Sequence, residues 1–260
     1  MCKEKKFLNF YETVKKIRQN CPWDKEQTHQ SLSRYLMEES YETLEAIDQL
    51  DQTKDYKHLA EELGDLLLQI FLHAELASEK NAFTIEDVLE KINEKMTRRH
   101  PHVFSEKPVE NAQAVHKDWD KIKNSEKKNT GKLLDSVPKN LPALLRTTKM
   151  IEKVSKVGFQ WPNLDGPLAK LEEELDELKY EIKNDSPVEK IEAEFGDLLF
   201  SLCNVAHFLK VNPEDSLRKM LVRFEKRFQY VEKELKEQGK TWEESSLEEM
   251  DELWNAAKKT

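Results

Sequence analysis

The chain has 260 residues, 38% of them hydrophobic, which at ~150 residues per domain allows one large or two small units with a buried core and excludes a peptide hormone or a disordered tail. Only 6 glycines against 9 prolines, with 36% charged residues, favour helices over tight-turned β structure and argue against a glycine-rich nucleotide loop; neither GxGxxG nor GxxxxGK[ST] occurs. A net charge of −9, from 51 acidic and 42 basic residues, opposes sequence-independent attraction to nucleic acid or to an anionic membrane.

Cys2, Cys21 and Cys203 are odd in number and form no CxxC, so neither a disulfide framework nor a zinc knuckle is indicated and a reducing, cytoplasmic location is expected. The opening MCKEKKFLNFYETVKK breaks any apolar run with charge. The oiliest segments, Leu66 to Ala77 and Leu198 to Leu209, fall short of the ~20 apolar residues of a membrane span.

Helical periodicity predicts, in chain order, segments near 4–19, 30–50, 56–80, 84–98 and 111–126. The polar stretch NSEKKNTGK at 124–132 reads as a linker, and further helices follow near 141–156, 166–184, 187–210, 213–238 and 246–259, with Pro187 and Pro213 at helix entrances. The expected organisation is all-α: an N-terminal unit over 1–123, a linker over 124–140 and a C-terminal unit over 141–260. The two halves resemble each other. YLMEESYE (35–42) corresponds to LEEELDE (171–177), EELGDLL (61–67) to AEFGDLL (193–199), and EDVLEKINEKMTRRH (86–100) to EDSLRKMLVRFEKRF (214–228). Trp23 pairs with Trp161 and Trp119 with Trp254. A duplicated four-helix-type unit accounts for all of these.

At ~100° per residue, Leu32, Leu36, Thr43, Ile47 and Leu50 define an apolar arc with Glu39 near its centre and Glu42 near its edge. In the next helix Glu62, Asp65 and Gln69 form a narrow polar stripe at i, i+3, i+7 among apolar residues. Burying ionised carboxylates together is unfavourable by several kcal/mol, so either their pKa values rise or a cation neutralises them. Oxygen-only ligands select Mg²⁺ or Mn²⁺ over zinc or copper. A single ExxE pair would more simply be a solvated or arginine-paired face; repetition of the pattern with a Gly-Asp step points to a shared dication. The second half supplies Glu174, Glu177, Glu194 and Asp197, with Ser201 in the place of Gln69. There Leu168, Leu171, Leu175, Leu178 and Ile182 set the arc and Glu174 lies roughly 60° off its centre, so burial is expected to be weaker in that helix. Gly64 and Gly196 are mid-helix glycines, unfavourable by ~1 kcal/mol relative to Ala, which close approach of a neighbouring helix would explain, as would packing without a metal.

EExxE, a spacer and ExxD together resemble the signature of the MazG-like nucleoside triphosphate pyrophosphohydrolases, here as Glu38-Glu39-x-x-Glu42 with Glu62-x-x-Asp65 and as Glu173-Glu174-x-x-Glu177 with Glu194-x-x-Asp197. CPWDKEQTH (21–29) and TRRHPHVF (97–104) strengthen the resemblance, which covers nearly the whole chain. It implies an all-α hydrolase that converts an NTP to an NMP and diphosphate with Mg²⁺ on four acidic side chains per site, in a homodimer that interlocks helices. Glu173 and Glu38, beside the ligands, are the candidate bases.

Phosphate recognition requires cations. Lys170 and Lys190 lie one turn before Glu174 and Glu194, where the first half has Tyr35 and His58. Later basic residues are Lys95, Arg98 and Arg99 in the first half and Arg223, Lys226 and Arg227 in the second; by the resemblance Arg223, Arg227 and Trp254 look like substrate contacts, and the second half is expected to dominate. Trp119 and Trp254 suit either a nucleobase stack or the core, and Pro101 between His100 and His102 favours a loop over a metal site. A di-iron bundle would need two Glu-x-x-His pairs, and only Glu26-Gln27-Thr28-His29 fits. A non-catalytic helical scaffold is the stronger rival; nucleic-acid binding would rest on TRRH alone.

Overall fold

The computed structural model describes residues 3–105, 111, 114–115, 118–119, 122, 126 and 132–259, less the side chains of 51 and 52. Among the described residues it is all-α, with eleven α-helices, one short 3-10 helix and no strand. The chain divides into two compact units, Met1–Lys128 and Asn129–Thr260.

The first unit comprises α1 (Lys3–Asn20), α2 (Pro22–Glu26), α3 (His29–Thr53), α4 (Tyr56–Ser78), α5 (Ile85–Arg99) and α6 (Pro101–Phe104). α3, α4 and α5 begin where side chains satisfy the free N–H groups of the first turn. The Thr28 hydroxyl accepts from the Ser31 N–H while Ser31 Oγ accepts from the Thr28 N–H, Asp55 accepts from Lys57 and His58, and Thr84 and Asp87 repeat the reciprocal arrangement. Each such cap stabilises by ~1 kcal/mol. Lys54, at φ +55°, ends α3 and turns the chain so that α4 runs back against it. The core collects Val14, Leu32, Phe71, Leu72, Ala74, Leu76 and Ile85, with Phe7 and Phe10 meeting the Phe71 ring edge-on at 5.4 and 5.0 Å.

One carboxylate shares that core. Glu75 is buried on α4 and its Oε2 has no hydrogen-bond partner. Burial pushes its carboxyl above the ordinary range, against the opposing pull of Lys15. The folded state then holds this proton to higher pH than the unfolded chain, so stability falls as pH rises through the window between the unfolded value and the raised one, and the penalty persists above it. Glu75→Gln is expected to raise stability at neutral pH by about 1 kcal/mol, the scale of one unpaired buried polar atom, with the gain vanishing below about pH 4; denaturant melts at the two pH values check it.

The second unit comprises α7 (Ala143–Ser155), α8 (Asp165–Lys183), α9 (Val188–Leu209), α10 (Pro213–Glu237) and α11 (Leu247–Ala257). α8 and α9 form its central hairpin, α7 packs on α9 and α10, and α11 folds back on α10. Asn212 and Ser246 cap α10 and α11 through their side chains. Ile151, Pro167, Leu178, Cys203, Val231, Leu235 and Ala257 are buried. Within the stretch expected as linker, Leu133–Ser136 forms the 3-10 helix, Val137 is buried, and Lys153 Nζ donates to the Leu133 carbonyl at 3.3 Å.

The long helices agree with the periodicity to about three residues at each end. α2, α6 and the 3-10 helix were not foreseen, because four or five residues display no period. The helix expected near 111–126 lies mostly outside the described residues. Among the described residues a Cβ placed on Gly64 or Gly196 meets nothing within 4 Å, so close approach of a neighbouring helix within this chain does not explain either glycine. Glycine is instead required at Gly166, where the Trp161 ring lies on the backbone and leaves no room for a side chain. Among the described residues no helix is long and apolar enough to cross a membrane.

Candidate functional site

In the first unit α3 turns Leu32, Leu36, Glu39, Thr43 and Ala46 towards its neighbours in a 4-3-4-3 spacing. Leu32, Thr43 and Ala46 are buried, Glu39 is half-buried, and Ile47, expected on this face, is exposed. The buried Thr43 hydroxyl donates to the Glu62 carbonyl at 3.3 Å and ties α3 to α4. That register brings one carboxylate oxygen from each of Glu39, Glu42 and Glu62 within 4.8 Å of the others. Asp65 is exposed and stands outside this triad, yet its charge reaches it. Burial, then Asp65, Glu42, Glu62 and Glu38, hold the Glu39 carboxyl above its usual range. Glu38 is exposed, and His58 Nδ1 lies 3.3 Å from Glu62 Oε1.

The second unit gathers Glu174 from α8 with Glu194 and Asp197 from α9, again within 4.8 Å. Here the sequence expectation is reversed: Glu174 is 5% exposed, the most buried of the eight acids, while Leu168, Leu175 and Ile182 of the supposed apolar arc are 39%, 40% and 54% exposed. The inward face of α8 runs through Pro167, Leu171, Glu174 and Leu178, so the leucines alone do not mark it. The charge is compensated locally: Lys170 Nζ lies 2.7 Å from Glu174 Oε1 and 2.9 Å from Glu173 Oε1. Those two contacts hold the lysine ammonium well above its ordinary range. Glu177 is exposed and outside the triad. Desolvation and then the charges of Glu174 and Glu194 raise its carboxyl, with Lys170 opposing.

The later cations separate from this pattern. Arg98 and Arg99 both donate to Glu126, at 2.7 and 2.5 Å, so their ion pairs go to that residue and not to the acids of α3 and α4. Lys95 borders an apolar groove with Phe7, Leu67 and Ile92. Lys190, Arg223 and Lys226 are exposed. The Arg227 guanidinium lies over the Trp254 ring at 5.9 Å, and Arg99 over Trp119 at 5.4 Å. Both tryptophans are half-buried, between the base-stacking and core fates. Trp254 also meets Phe224 at 5.0 Å, the end of a row continuing through Phe228 to Trp242.

Beyond Gln69 the polar stripe of α4 extends to His73, whose Nδ1 lies 2.8 Å from His29 Nδ1 with the rings stacked. It continues the same spacing, at i+11 from Glu62.

Two all-α units, each drawing three carboxylates together on a helical hairpin beside a histidine or a lysine, define a class of helical protein with acidic sites. The donors are all oxygens with more negative charge than their neighbours offset, a set that fits Mg²⁺ or Mn²⁺. The chain belongs to the MazG nucleotide pyrophosphohydrolase family. Residues 27–104, which contain Glu39, Glu42, Glu62 and Asp65, match the MazG nucleotide pyrophosphohydrolase domain. Over 97% of its length the chain is 43% identical to the nucleoside triphosphate pyrophosphohydrolase/pyrophosphatase MazG of Thermotoga maritima, covering 95% of that protein. It is 37% identical to the nucleoside triphosphate pyrophosphohydrolase of Escherichia coli K12, covering 96% of it. It is also 46% identical to the uncharacterized protein YabN of Bacillus subtilis, of which it spans about half, 52%.

Proposed function

We propose that the chain is a Mg²⁺-dependent nucleoside triphosphate pyrophosphohydrolase that converts an NTP or dNTP and water to the NMP and diphosphate, with the C-terminal unit dominant. The observation that carries this is the convergence of Glu174, Glu194 and Asp197 with Lys170 at their edge. Glu174, Glu177, Glu194 and Asp197 hold the ion there, and Glu39, Glu42, Glu62 and Asp65 in the first unit, with Mn²⁺ as a substitute. The bound ion supplies charge neutralisation on phosphate and an acidified water. Lys170, Lys190, Arg223, Lys226 and Arg227 bind phosphates, and Trp254 meets the nucleoside; Lys95, Arg98 and Arg99 are the counterparts in the first unit. Glu173, tethered by Lys170 beside Glu174, accepts the proton of the attacking water, and Glu38 does so in the first unit. The strong contacts fall on phosphate and metal, so several bases are tolerated.

The C-terminal unit dominates because it places a lysine on its acids, whereas the first unit offers His58 and commits Arg98 and Arg99 to Glu126. Attack falls on the α-phosphorus: hydrolysis in H₂¹⁸O is expected to label the NMP, and label found only in diphosphate would overturn that assignment. Diphosphate release from a panel of NTPs and dNTPs with Mg²⁺ tests the whole reading, and no turnover on any of them would favour the helical scaffold.

The tandem, interlocked homodimer belongs to the same proposal. In its support, Leu63, Leu67 and Ile70 on α4 and Phe195, Leu199 and Leu202 on α9 are apolar yet 40–53% exposed, faces that a second copy of this chain would cover. Light scattering is expected to give twice the chain mass; a monomer at micromolar concentration would sink the dimer.

A further inference from the structure

α4 carries its polar face beyond the acids: Glu62, Asp65, Gln69 and His73 follow at i, i+3, i+7 and i+11 along one side of the helix. Gln69 is 5% exposed and its Oε1 has no hydrogen-bond partner; His73 Nε2 is enclosed and equally unpartnered. Folded proteins leave few such atoms unmatched, since the lost hydration is not returned. The other His73 nitrogen is already engaged with His29, so Nε2 is the ring atom left without a partner. Burial and the neighbouring His29 hold the His73 pKa below its usual value, which keeps the ring neutral at physiological pH and leaves Nε2 a hydrogen-bonding atom rather than a cation. At ~1.5 Å rise per residue Gln69 and His73 lie roughly 6 and 12 Å along the helix from Asp65, the length scale of a ribose and base extending from a phosphate held at the acids.

We infer that Gln69 and His73 form a nucleobase-reading subsite of the N-terminal unit, Gln69 Oε1 accepting from an amino or imino N–H of the base and His73 Nε2 completing the same edge. This rests on the metal-and-phosphate reading above and adds a specificity to it. The C-terminal unit differs at the matching stretch of α9. Ser201 stands in place of Gln69, and the buried Asn204 already receives Gln160 Nε2 at 3.5 Å. The two units therefore read bases unequally, and the N-terminal one is the more selective, because a buried polar group rejects ligands that leave it unpaired.

The test uses the full chain carrying Asp197→Asn to silence the second site, with Mg²⁺, α,β-imido nucleoside triphosphates of each base, and inorganic tripolyphosphate as the base-free probe. Gln69→Leu is expected to weaken the best-bound imido nucleotide about tenfold or more, to leave tripolyphosphate binding unchanged, and to raise the melting temperature of the free protein, since an unmatched polar atom is removed. The ¹⁵N resonance of His73 Nε2 should move with the imido nucleotide and not with tripolyphosphate. Gln69→Asn, which keeps the amide but withdraws it, shows the same split if the leucine variant fails to fold. Equal loss for both ligands, or undiminished nucleotide affinity because water alone satisfies these atoms, overturns the subsite. Failure of tripolyphosphate to bind the first unit brings down the metal-and-phosphate reading itself, and the subsite with it.

Discussion

Glu194→Gln and Asp197→Asn are expected to abolish diphosphate release, by at least ~10²-fold, the scale on which single charge-stabilising groups act in preorganised sites, whereas Glu62→Gln and Asp65→Asn leave most of the activity. Glu194 and Asp197 sit on one face of α9 within reach of the buried Glu174, so neutralising either removes one of the three carboxylates that converge there. The first unit has its own triad, but its nearest cationic partner is His58, charged only when protonated, and its arginines are engaged by Glu126. Steady-state assay of the four variants, each checked for folding, decides the matter. Equal loss from both pairs would sink the dominance of the second unit.

The second large effect is on stability. Adding Mg²⁺ at about 100 times its dissociation constant should stabilise the chelator-treated protein by about 2.7 kcal/mol, a rise of several degrees in melting temperature, and the rise should grow with pH. Glu39 and Glu177 have folded-state pKa values above the ordinary carboxylate range, both chiefly through desolvation and then through neighbouring acids. Without metal the folded state keeps these protons to higher pH than the unfolded chain, so stability declines as pH climbs from the carboxylate range towards neutrality. Cation binding needs the ionised forms, so Mg²⁺ acts little at about pH 4–5 and strongly near neutrality. Thermal melts across this range check both parts. A Mg²⁺ effect independent of pH, or one that survives combined Glu174→Gln and Glu39→Gln substitution, would contradict the assignment of the acids as its site.

The helices were legible because each long one repeats its apolar residues over several turns, and several open on a residue able to cap them. Thr28, Thr84, Asn212 and Ser246 all do so. The acids were legible as a motif, since their spacing needs no knowledge of which face points inward. Burial was a different matter. The leucine pattern sets Glu174 roughly 60° off the centre of the apolar arc, yet it lies inside, and its lysine partner one turn away makes an inward carboxylate tolerable while Leu168, Leu175 and Ile182 remain outside. His73 is hidden in the sequence for a related reason: its partner His29 is 44 positions away, and nothing local announces the pairing.

What the chain's order of residues determined alone is its helical content, the places where helices start, the two sets of acids and the family to which it belongs, all properties of short-range spacing. Which three acids of each set meet, that Glu174 is the buried one, that Arg98 and Arg99 turn to Glu126, and that Gln69 and His73 are left facing inward without partners were decided only by tertiary packing. Register between helices and the pairing of distant charges depend on how whole faces fit together, and that is a sum over many weak contacts that no single segment encodes.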